Sequence, residues 1–264
     1  MSGERPQYGT STGGQVPVCP RHPDRPSYVS CQRCGRPVCP ECQRSAAVGV
    51  HCVDCVQEAA RSRPAYRTSL GGRAARGSAM LVTWWLIGAN VVVYALQWLA
   101  LVLGVGLLQL FAYAPVTTTS EPWRMLTSGF LHSTTNPLHL LLNMYTLYLF
   151  GQMLEPALGR ARFLLLFGLS VLGGSLGVLL LASPYTLVVG ASGGIFGLFG
   201  ALFVLQRHLG QSITPIVVLI GVNLAFGFLF PGIAWQAHLG GLVTGALVAF
   251  GYTLTLRRGR ARGR

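Results

Sequence analysis

The sequence has no lysine, only seven acidic residues, and no cysteine beyond Cys55. Charged residues make up 10% of its 264 positions, against about a quarter in an ordinary soluble domain. That shortage excludes a standard soluble enzyme. Acid is scarcest where it would matter most: no Asp follows Asp54, and no acid of any kind follows Glu155. Gly190-Ala191-Ser192-Gly193-Gly194 fits the G-x-S-x-G elbow of soluble hydrolases, whose triad runs Ser, then Asp or Glu, then His. With no acid after the serine, the elbow is excluded. The opening MSGERPQYGTSTGGQ has no apolar run, so no signal peptide is expected there. Seven cysteines, an odd number, all lie between Cys19 and Cys55, which argues against a disulfide framework. A cytosolic N-terminus with reduced, metal-binding thiols is expected instead.

What is present is apolar. Hydrophobic residues make up 51% of the chain. Six stretches have roughly the length of a bilayer-spanning helix: about 80–103, 137–155, 160–182, 191–209, 213–230 and 234–256. Arginine tests the topology. It is concentrated before the first stretch, between the second and third (Arg160, Arg162), at the end of the fourth (Arg207) and in the closing RRGRARGR. These are alternate loops, and positive charge marks the cytosolic side. Both termini are therefore expected in the cytosol of a multi-pass plasma membrane protein, with arginine-only usage suggesting a bacterial, GC-rich source. The net charge of +13 is read as membrane orientation, and no nucleic acid partner is expected. Between the first two stretches, 104–136 is too polar to span and is expected partly at the interface, with Tyr113 and Trp123 at headgroup depth.

Five regions follow: a disordered N-terminus (1–16), a Cys/His module (17–60), a basic juxtamembrane linker suited to anionic headgroups (61–79), a six-helix membrane domain (80–256) and a basic tail (257–264). In the module, the pairs Cys19/His22, Cys31/Cys34, Cys39/Cys42 and Cys52/Cys55 each enclose two residues. Eight ligands suit two closed, four-coordinate zinc sites. So short a segment has too little apolar content for a core, so metal would drive its folding. The expected pairing is interleaved, Cys19, His22, Cys39 and Cys42 on one ion and Cys31, Cys34, Cys52 and Cys55 on the other, as in cross-braced B-box-type zinc fingers, which the module resembles. His51 is the substitute candidate. No ligand position is left open, so the ions are expected to be structural, none serving catalysis.

Ser192 can be a small packing residue or a nucleophile. The fourth stretch carries Gly193, Gly197 and Ala201, and the sixth carries Ala237, Gly241, Gly245 and Ala249. Small residues at every fourth position bring helix backbones together. Ser192 and His238 each lie one residue from that seam, at similar depth. An intramembrane histidine is a functional candidate, and a hydroxyl beside it is the nucleophile–base arrangement. With no acid available, the unit would be a Ser–His dyad, with Phe196 one turn below Ser192 to pack on the ring. His139 and Asn143 share a helix face at i, i+4 and, with the Ser192 N–H, are candidate oxyanion donors.

Residues 80–264 resemble a rhomboid intramembrane serine protease. The matching segments are Trp123-Arg124, FLH ending at His132, HLLLNM from His139, Gly151 to Glu155, GASGGIFGL from Gly190 and AHLGGLVTG from Ala237. The resemblance implies an all-α, six-helix bundle with a cavity opening outward and cleavage of transmembrane protein substrates near their extracytoplasmic end. It makes Ser192 the nucleophile, His238 the base, and His139, Asn143 and the Ser192 N–H the oxyanion hole. It makes Trp123-Arg124 and Glu155 structural. His132 and His139 stand farther apart than in the family pattern, so His132 is left outside the site. The resemblance does not cover residues 1–79. The alternatives are an inactive rhomboid-like scaffold that binds transmembrane helices and a polytopic transporter, the latter disfavoured by the scarcity of intramembrane charge. The zinc module is expected to dock a cytosolic protein partner or to regulate.

Overall fold

The computed structural model describes residues 16–62, 80–230 and 232–262. Nearly all of the expected disordered N-terminus and basic linker, and the last two residues of the tail, lie outside them. The chain divides into two compact units, Met1–Ala65 and Tyr66–Arg264.

The first unit is a pair of small antiparallel ribbons and one helix. Strands β1 (Val18–Cys19) and β2 (His22–Pro26) pair, as do β3 (Gln43–Ser45) and β4 (Val50–Cys52), and α1 (Val53–Ser62) follows directly. Its buried cluster consists of Cys19, Cys31, Cys39, Cys42, Cys52, Cys55 and a single aliphatic residue, Val38. One valine cannot offset the entropy of ordering the segment. Something other than apolar burial must hold it.

The second unit is helical: α2 (Leu81–Val102), α3 (Leu107–Phe111), α4 (Arg124–Thr127), α5 (Pro137–Leu158), α6 (Arg160–Leu181), α7 (Ser192–His208), α8 (Thr214–Leu229) and α9 (Trp235–Arg262). The six long helices occupy the six apolar stretches. Leu81–Val102, Arg160–Leu181 and Trp235–Thr255 are long and apolar enough on their own to cross a membrane. The others are not, for physical reasons: α7 and α8 have 17 and 16 residues, and α5 carries His139, Asn143, Gln152 and Glu155. α9 runs on into the basic tail as far as Arg262.

α7 is the central helix, buried almost continuously from Gly193 to Leu202. α8 lies at the rim, with only Ile216 and Gly227 buried. On α2, Trp84, Trp85, Val91 and Val92 are exposed, an apolar outer surface that suits lipid rather than water. The helices meet through glycine. A Cβ on Gly241 would collide with the Gly193 carbonyl, and one on Gly245 with the Gly197 carbonyl. The constant offset of these pairs makes α7 and α9 parallel and in register. Gly177 meets Gly240 while Gly173 meets Thr244, so α6 packs antiparallel on α9.

One acid secures the start of the bundle. Glu155 is 1% exposed. Its Oε1 accepts the Val82 N–H at 2.8 Å, and its Oε2 accepts the Thr83 N–H at 2.8 Å and the Thr83 hydroxyl at 2.7 Å. The carboxylate thus satisfies first-turn donors of α2 and opposes its positive dipole end. Gly151, one turn earlier on α5, makes room for the Thr83 side chain.

The first loop is tied down by backbone. Tyr113 forms an isolated antiparallel bridge with Val188, and the Gly190 N–H donates to the Ser128 carbonyl at 2.9 Å. Arg124, 7% exposed, donates to the Gln109 and Ala112 carbonyls and pairs with Glu121 at 2.6 Å. Trp123 is exposed, whereas Tyr113 is fully buried against the protein. Its hydroxyl meets Thr118 Oγ1 at 2.8 Å, so it needs no headgroup.

Candidate active site

Ser192 is the first residue of α7, so its N–H has no acceptor within the helix. The turn before it depends on Gly190. This residue has φ +124°, a backbone that side-chain-bearing residues rarely adopt. A Cβ there would also lie 2.8 Å from His139 Nε2 and 3.6 Å from Ser192 Oγ. The serine hydroxyl and the imidazole therefore converge on the bare face of Gly190.

His139 stands in the first turn of α5, which Pro137 opens. Its Nδ1 accepts the Ser133 N–H at 3.4 Å. A neutral ring that accepts at Nδ1 carries its proton on Nε2, the nitrogen that faces Gly190. Asn143, 8% exposed, donates one amide hydrogen to the His139 carbonyl at 2.7 Å. The second amide hydrogen is left for another acceptor.

His238 is 8% exposed in the first turns of α9. Its ring lies on Phe196 of α7 at 4.1 Å between centroids and 8° from parallel. The Ala237 carbonyl beside it is 3.6 Å from where a Cβ on Gly193 would stand. The residues next to Ser192 and next to His238 thus meet with no side chain between them. All four residues singled out in the membrane domain lie at one end of the α5–α7–α9 cluster.

The sequence reading missed two residues. The His132 ring is fully buried, with its centroid 5.1 Å from that of His139, although the wider spacing had left it outside the site. Gly190 was read only as part of a motif. Its left-handed backbone is a conformational property that spacing does not reveal.

The first unit gathers its ligands in two sets. Cys19, His22, Cys39 and Cys42 form one, and Cys31, Cys34, Cys52 and Cys55 the other; within each set the donor atoms all lie within 4.8 Å of one another. This is the interleaved division read from the spacing. His51 belongs to neither. Cys34 and Cys52 Sγ are 3.8 Å apart, far beyond a disulfide bond but close to the sulfur–sulfur edge of roughly 3.8 Å in a tetrahedron with Zn–S of about 2.3 Å. His22 Nδ1 lies 3.3 and 3.4 Å from Cys39 and Cys42 Sγ. The donor sets therefore fit two closed metal centres. The Cys39 backbone chiefly holds the Cys19 thiol down to about 6. Burial pushes Cys31 up, but the backbone N–H groups of Cys52, Cys34 and Arg33 bring it to about 6. Burial, then Cys39 and Cys19, push Cys42 up to about 11. A hydrogen bond with Cys52, then burial, push Cys55 up to about 12.

The rhomboid-domain family model matches residues 119–255. The chain belongs to the rhomboid family. It is 38% identical over 143 residues to RHOMBOID-like protein 4 of Arabidopsis thaliana, a match covering 51% of this chain and 35% of that protein. It is 38% identical over 135 residues to Bacillus subtilis YdcA, covering 49% and 67%. It is 37% identical over 134 residues to the rhomboid protease GluP of the same organism, covering 49% and 26%. The chain thus spans about a third of the first of these relatives and a quarter of the last.

Proposed function

We propose that this rhomboid is an active intramembrane serine endopeptidase working through a Ser192–His238 dyad. The observation that carries this reading is the convergence of Ser192 Oγ and His139 Nε2 on Gly190. A donor aimed beside a hydroxyl is what acyl transfer needs, and a packing serine has no use for it. In the reaction, Ser192 Oγ attacks the scissile carbonyl carbon as His238 Nε2 takes its proton. The carbonyl oxygen becomes an oxyanion held by His139 Nε2–H, an Asn143 amide hydrogen and the Ser192 N–H. The C–N bond breaks as the imidazolium protonates the departing amine. Water, deprotonated by His238, then attacks the acyl-enzyme and returns Ser192 to its hydroxyl form. Phe196 holds the imidazole from beneath, in the absence of a carboxylate partner.

Substrates are transmembrane proteins. The arginine distribution supports cytosolic termini, an extracytoplasmic opening and a bacterial plasma membrane. Two structural zinc ions would be held by Cys19, His22, Cys39 and Cys42 and by Cys31, Cys34, Cys52 and Cys55. They would fold the first unit for docking of a cytosolic protein or for regulation. The alternative is a scaffold that binds helices without cutting them. A fluorophosphonate probe separates the two. Labelling of the purified protein that Ser192→Ala abolishes supports the protease. No labelling, or equal labelling of both, would overturn the protease reading.

A further inference from the structure

α2 carries an amide that the reaction scheme does not use. Gln97 is 3% exposed on a largely apolar helix, a costly position unless both ends are hydrogen-bonded. Both are, to the backbone of a single residue. Its Nε2 donates to the His132 carbonyl at 2.9 Å, and its Oε1 accepts the His132 N–H at 3.0 Å.

That grip has a consequence one atom further on. The His132 carbonyl and the Ser133 N–H belong to one planar trans peptide and point in opposite directions. Drawing the carbonyl toward Gln97 therefore turns the Ser133 N–H away from it. That N–H is the group that reaches His139 Nδ1 at 3.4 Å. An accepting Nδ1 leaves the proton on Nε2, beside Gly190 and Ser192. The rest of the short loop is braced to keep this geometry: the Asn136 N–H donates to Ser133 Oγ at 3.2 Å, Ser133 Oγ and Thr135 Oγ1 are 3.0 Å apart, and the His139 N–H donates to the Asn136 carbonyl at 3.1 Å.

We propose that Gln97 is a positioning residue for the oxyanion site: by clamping the His132–Ser133 peptide, it selects the His139 tautomer that carries its proton on Nε2. The inference rests on the reading of His139 as an oxyanion donor. Gln97 touches no substrate and acts only through His139. Without the clamp, the Ser133 N–H is free to turn. The ring then divides between tautomers, and only one of them can donate to the oxyanion.

Gln97→Met keeps the volume and removes both hydrogen bonds. In the full-length protein reconstituted in liposomes, its kcat on a transmembrane substrate should fall about tenfold with KM unchanged, part of the loss expected when an oxyanion donor is removed. Added to His139→Ala, it should lower kcat no further. If it lowers both backgrounds by the same factor, it acts on the fold and the proposal is overturned. Nitrogen NMR of histidine-labelled protein, assigned by loss of the signal in His139→Ala, gives a readout independent of turnover. An unprotonated His139 Nδ1 is expected in the parent, and a mixture of tautomers in Gln97→Met. An unchanged signal would overturn the proposal even if activity fell. If His139→Ala itself keeps full activity, the oxyanion reading fails along with this one. If His139→Ala is impaired while Gln97→Met is not, only the present inference fails.

Discussion

The Phe196 ring lies flat beneath the His238 imidazole, 4.1 Å away and 8° from parallel. In the proposed dyad this aromatic face would take the orienting role that a carboxylate fills in a triad. Stacked aromatic pairs contribute about 0.5–1.5 kcal/mol beyond area burial, so Phe196→Leu should cost about two- to tenfold in kcat/KM. Phe196→Tyr should retain most activity. Lower turnover of Phe196→Leu than of Phe196→Tyr, measured at a temperature where both remain folded, is the expected pattern. Parent-like turnover by Phe196→Leu would remove the ring from any orienting role.

The α7–α9 contact makes a sharper prediction about single methyl groups. Gly241→Ala and Gly245→Ala drive a Cβ into the Gly193 and Gly197 carbonyls. Overpacking of this kind typically costs about 1–3 kcal/mol. Both variants should unfold at lower temperature in detergent and lose probe labelling at Ser192. Gly221→Ala and Gly251→Ala meet nothing within 4 Å and should behave like the parent. Equal thermograms for Gly245→Ala and Gly251→Ala would refute the seam.

Glu155 serves three donors on α2. Each buried donor left unpaired costs about 1–3 kcal/mol. Glu155→Ala should therefore be among the most destabilising single changes in the membrane unit. Thr83→Val removes one of the three donors and leaves the carboxylate two, so it should cost far less. Thermal unfolding of the two variants side by side tests the order, which a purely local role for Glu155 would not produce.

Metal content tests the first unit. Full-length protein should carry two zinc ions, and His22→Ala should weaken one of them selectively. Because thiols must deprotonate to ligate, affinity should fall as pH falls, and binding should release protons. Cys34 is the exposed cysteine among the seven, and the other six are buried. With zinc bound, iodoacetamide should modify Cys34 first, as read by peptide mass spectrometry, and chelation should open all seven to modification. Uniform modification of all seven with zinc bound would contradict the clustered geometry.

Much of this was legible in the chain because its signals are short-range and chemical. Two-residue spacers between cysteines leave few ways to surround an ion. Small residues at every fourth position announced the α7–α9 contact because backbone approach in a bilayer demands them. His139 and Asn143 followed from helical periodicity alone. The failures share a different cause. Sequence distance excluded His132, but the loop from Ser133 to Asn136 folds on itself and returns the ring to His139. Gln97 is one amide in an apolar run, and its role appears only when both of its bonds are traced to the same peptide. Loop geometry and partner choice are tertiary properties, which periodicity does not encode.

The backbone bridge between Tyr113 and Val188, with the bond from Gly190 to Ser128, fastens the first loop to the turn that carries the nucleophile. The loop and Ser192 therefore rise or sink as one piece. A thinner or thicker bilayer would shift both against the substrate helix by the same amount. On the proposed protease reading, the cut is set from the loop and not from the membrane midplane, and lengthening a substrate helix at its far end should leave the cut bond unchanged.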